Sequence, residues 1–276
     1  VMRYDYDRFD FLIRQETTQG SETDVIYRVP DFVGNLFGTP DRKDRKYGAG
    51  GKLLEDPDCF YHYDDEGNLI FREFKQLQET GVRYDRKRME KERDIRCLAT
   101  GTGWLYEWAS NGMLKNVIRP DGRPVEFRYD ALGRRTAKLY FGKVTRWVWD
   151  GNVPLHEWIT TATDNDVLPN RNNITTWIFE EETLIPTAKI QSDKSCSIVS
   201  DYLGTPIQMY DGQGNKTWDC TLDIYGKVID FTGKFLYDCP FRFQGQYEDA
   251  ETGLYYNRFR YYSAEIGCYL THDPIG

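Results

Sequence analysis

The chain has 276 residues, 39% of them hydrophobic and 29% charged, with a net charge of −8 and a pI near 5.1. That apolar mass suits one large domain or two ordinary ones and excludes a disordered chain. The acidic balance argues against nucleic acid, which needs a basic face, and no apolar run reaches the ~20 residues of a membrane-spanning helix.

Aromatic residues make up 15% of the chain, and they come with 24 glycines. Together they predict β structure with frequent turns. The first elements are RYDYDRFDFLIRQ (3–15) and VIYRVPDFVGNLF (25–37), loose copies of a phrase that sharpens downstream. The phrase is clear in YHYDDEGNLIFREF (61–74), where alternating aromatics precede Asp64, Asp65 and Gly67. Alternation sets one side of a strand on its neighbour. Aspartate bonds back to the turn, and glycine accepts positive φ, so the phrase is strand, turn, strand.

The next stretch, 75–97, breaks the pattern and reads as a short surface helix or a long charged hairpin. Hairpins then resume at 105–118 and 127–140, joined by a tight turn at Asp121-Gly122, and again at 209–222. In RWVWDG (146–151), Trp147 and Trp149 share one face, and Arg146 and Val148 the other. YYNRFRYY (255–262) reads as one strand. Tyr255, Asn257, Phe259 and Tyr261 then face one way; Tyr256, Arg258, Arg260 and Tyr262 face the other, as a candidate inward polar surface. A lone hairpin is marginal, so a run of them must stack edge to edge or close on itself. The spacing from Gly67 to Gly112 is 45 residues, and from Gly112 to Gly133 it is 21. That irregularity fits a winding sheet better than a strict solenoid or propeller.

The charged clusters DRKDRK (41–46) and DRKRMEKERDIR (85–96) mix acids with bases and read as solvated faces. The six cysteines and three histidines show no metal-ligand spacing, so buried thiols are the expectation and no metal or cofactor is expected. No nucleophile elbow or phosphate loop is present. The N-terminus shows no signal peptide, and the chain reads as an excerpt that starts mid-pattern on Val1 and stops inside a motif at Gly276.

The phrase Tyr-x-Tyr-Asp-x-x-Gly-x-Leu resembles the YD repeat of the Rhs family, bacterial relatives of teneurins. The likeness runs through essentially the whole chain and is strongest from Arg146 to Gly276. It includes 146–158, 175–190 and 201–215, and above all the closing stretch 241–276. It implies an all-β fold in which YD hairpins spiral into a large sheet, part of a hollow cocoon that encloses a C-terminal toxin. It divides the chain into a shell segment, 1–240, and a core-closing segment, 241–276. It implies a cleavage motif, Asp-Pro-x-Gly-Leu, whose first four positions match Asp273, Pro274, Ile275 and Gly276. An aspartyl autoprotease would cut one residue further on.

Carboxylate peptide hydrolysis needs two close acids, one protonated and one ionised. By resemblance these are Asp273 and Asp249, with Glu248 and Glu251 as alternates and Arg260 nearby to stabilise charge. On the residues alone, Asp249 equally caps the turn at Thr252-Gly253, Asp273 is a turn aspartate, and Arg260 stacks on a tyrosine. The family's Tyr-Tyr-Asp-Pro and Gly-Arg are replaced here at Ser263, Ala264 and Cys268. Cys268 is thereby a conceivable nucleophile without an evident base. The implied partners are the toxin cargo, the rest of the shell, a type VI secretion spike or chaperone, and an immunity protein, with delivery by a bacterial secretion system. The alternative is a cell-surface YD-repeat protein, wall-associated or teneurin-like, that binds sugar or a partner on its aromatic face.

Overall fold

The computed structural model describes residues 1–76, 102–161, 169 and 171–271. Most of the 75–97 stretch, from residue 77 on, lies outside them. The described residues are almost wholly β. Sixteen strands, from Lys46–Tyr47 to Val228–Gly233, form one antiparallel sheet whose spatial order follows the chain. Residues 2–27 form a separate three-stranded sheet, and Val29–Pro30 pairs with Leu36–Phe37. The expected hairpins at 61–74, 105–118, 127–140 and 209–222 are all present.

Asp130 shows how the repeat builds its turn. Its backbone N–H donates to the Arg134 carbonyl, and the Gly133 N–H donates to the Asp130 carbonyl. Its Oδ1 accepts the N–H groups of Leu132 and Arg134, each at 2.9 Å. Gly133 closes the turn at φ +73°, a conformation that costs other residues. Asp64, Asp201, Asp211 and Asp223 organise their turns the same way. A one-residue bulge follows each turn. Opposite Arg128 and Tyr129, for instance, Ala137 and Arg135 are the partners, and Thr136 is extra. A bulge of this kind bends the strand and adds twist.

The aromatic residue before the turn then reaches inward and binds the neighbouring hairpin. Trp108 Nε1 donates to the Leu69 carbonyl (2.8 Å), Tyr129 Oη to Leu114 (2.7 Å) and Trp149 Nε1 to Arg135 (2.7 Å). Each acceptor is the first strand residue after the previous turn. Aromatics with a polar tip suit this place, since the ring packs in the core while the tip finds a carbonyl. The aspartate term is open to test. Asp223 is buried and accepts the N–H groups of Tyr225 and Lys227. Asp223→Ala leaves both unpaired out of water and is expected to lower unfolding stability by about 1–3 kcal/mol. Asp211→Ala, at a less buried turn, should cost clearly less in the same chemical denaturation.

The two ends of the long sheet meet through Tyr225. Its hydroxyl donates to the Tyr27 carbonyl (3.1 Å), and the Arg28 and Arg45 guanidinium groups lie 5.7 and 6.0 Å from its ring. Arg45 belongs to the 41–46 cluster, yet its side chain is turned inward and donates to the Ile266 carbonyl at 2.8 Å. The solvated-face reading therefore fails at Arg45, because an arginine stem packs as an apolar group while its head finds carbonyls.

The closing stretch forms a four-stranded sheet: Tyr247–Glu248, Leu254–Asn257, Arg260–Ser263 and Cys268–Tyr269. It shares one core with the long sheet, where Tyr247, Leu254, Tyr256, Tyr261 and Leu270 pack with Phe127, Trp147, Trp177 and Trp218. The single-strand reading of 255–262 is corrected here. The chain turns at Arg258-Phe259, with Arg258 at φ +54°, and Tyr256 pairs with Tyr261. Tyr256 and Tyr261 therefore share a face, and Tyr255 shares the other with Tyr262.

Burial has raised the hydroxyls of Tyr225, Tyr237 and Tyr256 to about 12, and the Cys220 and Cys239 thiols to about 11. The fold thus favours their neutral forms. That contribution is complete below the ordinary values of 10.0 for tyrosine and 9.0 for cysteine, and is lost as pH rises through 11 to 12. Titration above pH 9 should show these tyrosines ionising together with loss of near-ultraviolet circular dichroism, not one by one in a folded chain.

Candidate functional site

The closing sheet meets the long sheet at a buried charge cluster. Asp249 follows the strand Tyr247–Glu248 and is 0% exposed. Arg135 Nη1 lies 2.5 Å from its Oδ2, and Lys138 Nζ lies 3.0 Å from its Oδ1. Lys138 also reaches Glu251 at 2.6 Å. Both cations stand on the strand Arg135–Tyr140, three residues apart. Simple alternation would put them on opposite faces. The bulge at Thr136 turns Arg135 inward beside Lys138.

Aromatic rings enclose the Arg135 guanidinium. Its carbon lies 4.4 Å from the rings of Trp147 and Tyr256, 5.3 Å from Tyr247 and 5.5 Å from Phe127. Burial is the largest influence and opposes the charge of both Arg135 and Lys138. Asp249, together with Tyr261 and Tyr256 at Arg135 and with Glu251 at Lys138, outweighs it, so both hold their protons above the ordinary values. A second acid joins through Tyr247, whose hydroxyl donates to Glu157 Oε2 at 2.9 Å. Tyr261 Oη lies 2.8 Å from Tyr129 Oη and 3.5 Å from Arg135 Nη1.

The structure sorts the expected site residues. Asp249 sits at the cluster, and its carbonyl accepts the N–H groups of Thr252 and Gly253, so it also caps its turn. Glu251 joins it through Lys138. Glu248 is drawn away, bound to the buried Arg242 at 2.6 Å. Arg260 stacks on Tyr269 with its guanidinium carbon 3.9 Å from the ring centre, on the strand face opposite Tyr261. The cations that touch Asp249 are instead Arg135 and Lys138. Asp273, Pro274, Ile275 and Gly276 lie outside the described residues. Cys268 is a poor nucleophile, since burial pushes its thiol up to about 12. Arg45 brings a guanidinium to the turn before Cys268, where the family's arginine is replaced.

Arg135 and Lys138 drew no attention in the sequence. Their signal was weak: Arg135 is the first strand residue after a YD turn, where a bulge swings it inward, yet Lys216 holds the same place after the Asp211 turn and stays exposed. Among the described residues, no group of three or more His, Cys, Asp or Glu could hold a metal ion.

Comparison with known proteins fits this architecture. The profile of the teneurin YD-shell family matches residues 38–275. A probable deoxyribonuclease, RhsB of Dickeya dadantii, is 29% identical over 268 residues, covering 95% of this chain and 17% of that protein. The double-stranded DNA deaminase toxin A of Burkholderia cenocepacia is 28% identical over 270 residues, covering 89% of this chain and 17% of its own length. The chain thus spans about a sixth of the curated relatives it matches. Among solved structures, the Tc holotoxin pore of Photorhabdus luminescens matches the fold over 100% of this chain and 17% of that one, with a TM-score of 0.50 at 18% identity. A sequential sheet of aspartate-turn hairpins, closed by an aromatic four-stranded sheet, is the YD-shell architecture, and the chain belongs to the teneurin YD-shell family, as a YD-repeat protein of the Rhs type.

Proposed function

We propose that this chain is the C-terminal part of an Rhs toxin core, which encloses a toxin and releases it from the shell chain by cutting itself once. Residues 1–240 act as wall and 241–276 as the closing segment. The observation that carries the reading is the Asp249 cluster, which fixes the closing sheet to the wall through Arg135 and Lys138 at a site shielded from water. The last described strand leads away from the same place. Leu270 donates its N–H to the Tyr261 carbonyl, and its own carbonyl accepts the Leu69 N–H. The chain that follows carries Asp273.

In the cut, Asp249 is the base beside the two cations, and Asp273 is the protonated partner. Water gives its proton to the base as its oxygen attacks the carbonyl of the residue that follows Gly276. Lys138 and Arg135 offset the oxyanion, and the acid protonates the leaving amide nitrogen. The named toxins among the relatives support a toxin as cargo. Delivery by a secretion system, with a spike or chaperone and an immunity protein, completes the reading.

The test is the intact mass of the protein expressed from its full gene. Wild type should yield a fragment ending one residue past Gly276. Asp273→Asn and Asp249→Asn should each leave the precursor whole. A wild-type chain that stays uncut, or a mutant cut at the same bond, defeats the autoprotease.

A further inference from the structure

A cavity of about 250 Å3 lies between the closing sheet and the hairpin strands 143–161 and 175–191. Trp147, Trp149, Phe179 and Phe241 supply much of its wall. Its charged groups are of one kind, set among the polar side chains of Asn152 and Asn257 and the tyrosines Tyr247 and Tyr256. Arg135 and Arg258 both line it, and each has a guanidinium Nε buried without a hydrogen-bond partner. Arg135 is 1% exposed.

Two buried N–H donors without acceptors are costly, at about 1–3 kcal/mol each, unless something enters to accept them. Water does this poorly here. The volume equals about eight waters at ~30 Å3 each, and each needs two to four polar partners, more than the few polar groups set among the rings supply. The charge at Arg258 favours an anion. Arg135 already has Asp249, whereas Arg258 Nη1 donates to the neutral Asn152 Oδ1. Among the described residues, no carboxylate pairs with Arg258. Its place at the tip of the hairpin turn sets this cation at the cavity's edge.

We propose that the cavity binds a small aromatic carboxylate. The ring lies among the indole and phenyl walls, and the carboxylate accepts from Arg258 and Arg135 Nε. Such a ligand satisfies both donors and displaces water that gains little by staying. The site shares Arg135 with the cleavage centre, but binding is read separately from processing and holds whether or not the protein cuts itself.

Phenylacetate is the probe, titrated into the chain by calorimetry, with phenylacetamide as the uncharged control. Saturable binding of one equivalent is expected, with the amide about tenfold weaker, because a charge-assisted bond is roughly twice as strong as a neutral one. The indole N–H resonances of Trp147 and Trp149 should move with the same midpoint. Arg258→Gln, at a half-buried hairpin tip, should keep the fold, weaken phenylacetate about tenfold and leave phenylacetamide unchanged. Absence of saturable binding to folded wild type overturns the proposal. So does equal binding of acid and amide, an Arg258→Gln variant with undiminished affinity, or resonance changes confined to other tryptophans.

Discussion

Arg135→Met is expected to cost this chain about 3–5 kcal/mol of unfolding stability, the usual penalty for removing one partner of a buried ion pair. The loss is not chiefly that of attraction. Asp249 is fully buried, and without Arg135 it keeps Lys138 alone, which Glu251 also claims. The methionine fills part of the space but cannot meet the carboxylate. Four rings lose their cation as well, each contact being worth ~0.5–2 kcal/mol by position. Asp249→Leu alone leaves two buried cations with one partly exposed acid and should be similarly harmful. The double variant Arg135→Met, Asp249→Leu removes both charges, so its loss should fall well short of the sum, by roughly 0.5–3 kcal/mol of coupling. Urea denaturation of the four proteins reads all of this. Additive losses would mean that the two residues act separately and that Asp249 does not hold the closing sheet to the wall through Arg135.

Much of this architecture was legible in the chain because the repeat writes its own physics. Aspartate, glycine and a preceding aromatic each have a local reason to be where they are, and those reasons survive folding. The hairpins at 61–74, 105–118, 127–140 and 209–222 follow from them. Facing was less legible, because a single extra residue reverses it. Thr136 does so at Arg135, and the turn at Arg258-Phe259 does so within 255–262. Neither is marked by glycine or proline, so alternation ran straight through both. The site was half legible for a related reason. Asp249 was named by resemblance. Its partners come from residues 114 and 111 positions upstream, brought near only when the closing sheet packs on the long sheet.

Gly267→Ala should be the most damaging single-methyl change in the closing segment, at about 2–5 kcal/mol, for two reasons that add. Gly267 has φ +74°, which costs an L-residue roughly 1–2 kcal/mol. An added Cβ would also sit 2.4 and 2.5 Å from ring carbons of Tyr225, and overpacking of this kind costs typically 1–3 kcal/mol. Tyr225 has little freedom to yield. Its hydroxyl is held by Tyr27, its carbonyl by the Tyr262 hydroxyl, and its ring is flanked by the Arg28 and Arg45 guanidinium groups at 5.7 and 6.0 Å. Displacing it loosens the place where the two ends of the long sheet meet. Gly253→Ala is the control: its φ is +67°, but its Cβ would meet no atom within 4 Å. It should therefore show the backbone cost alone. If thermal unfolding finds the two variants equal, Tyr225 moves freely, and the ends of the sheet are not held together through its ring.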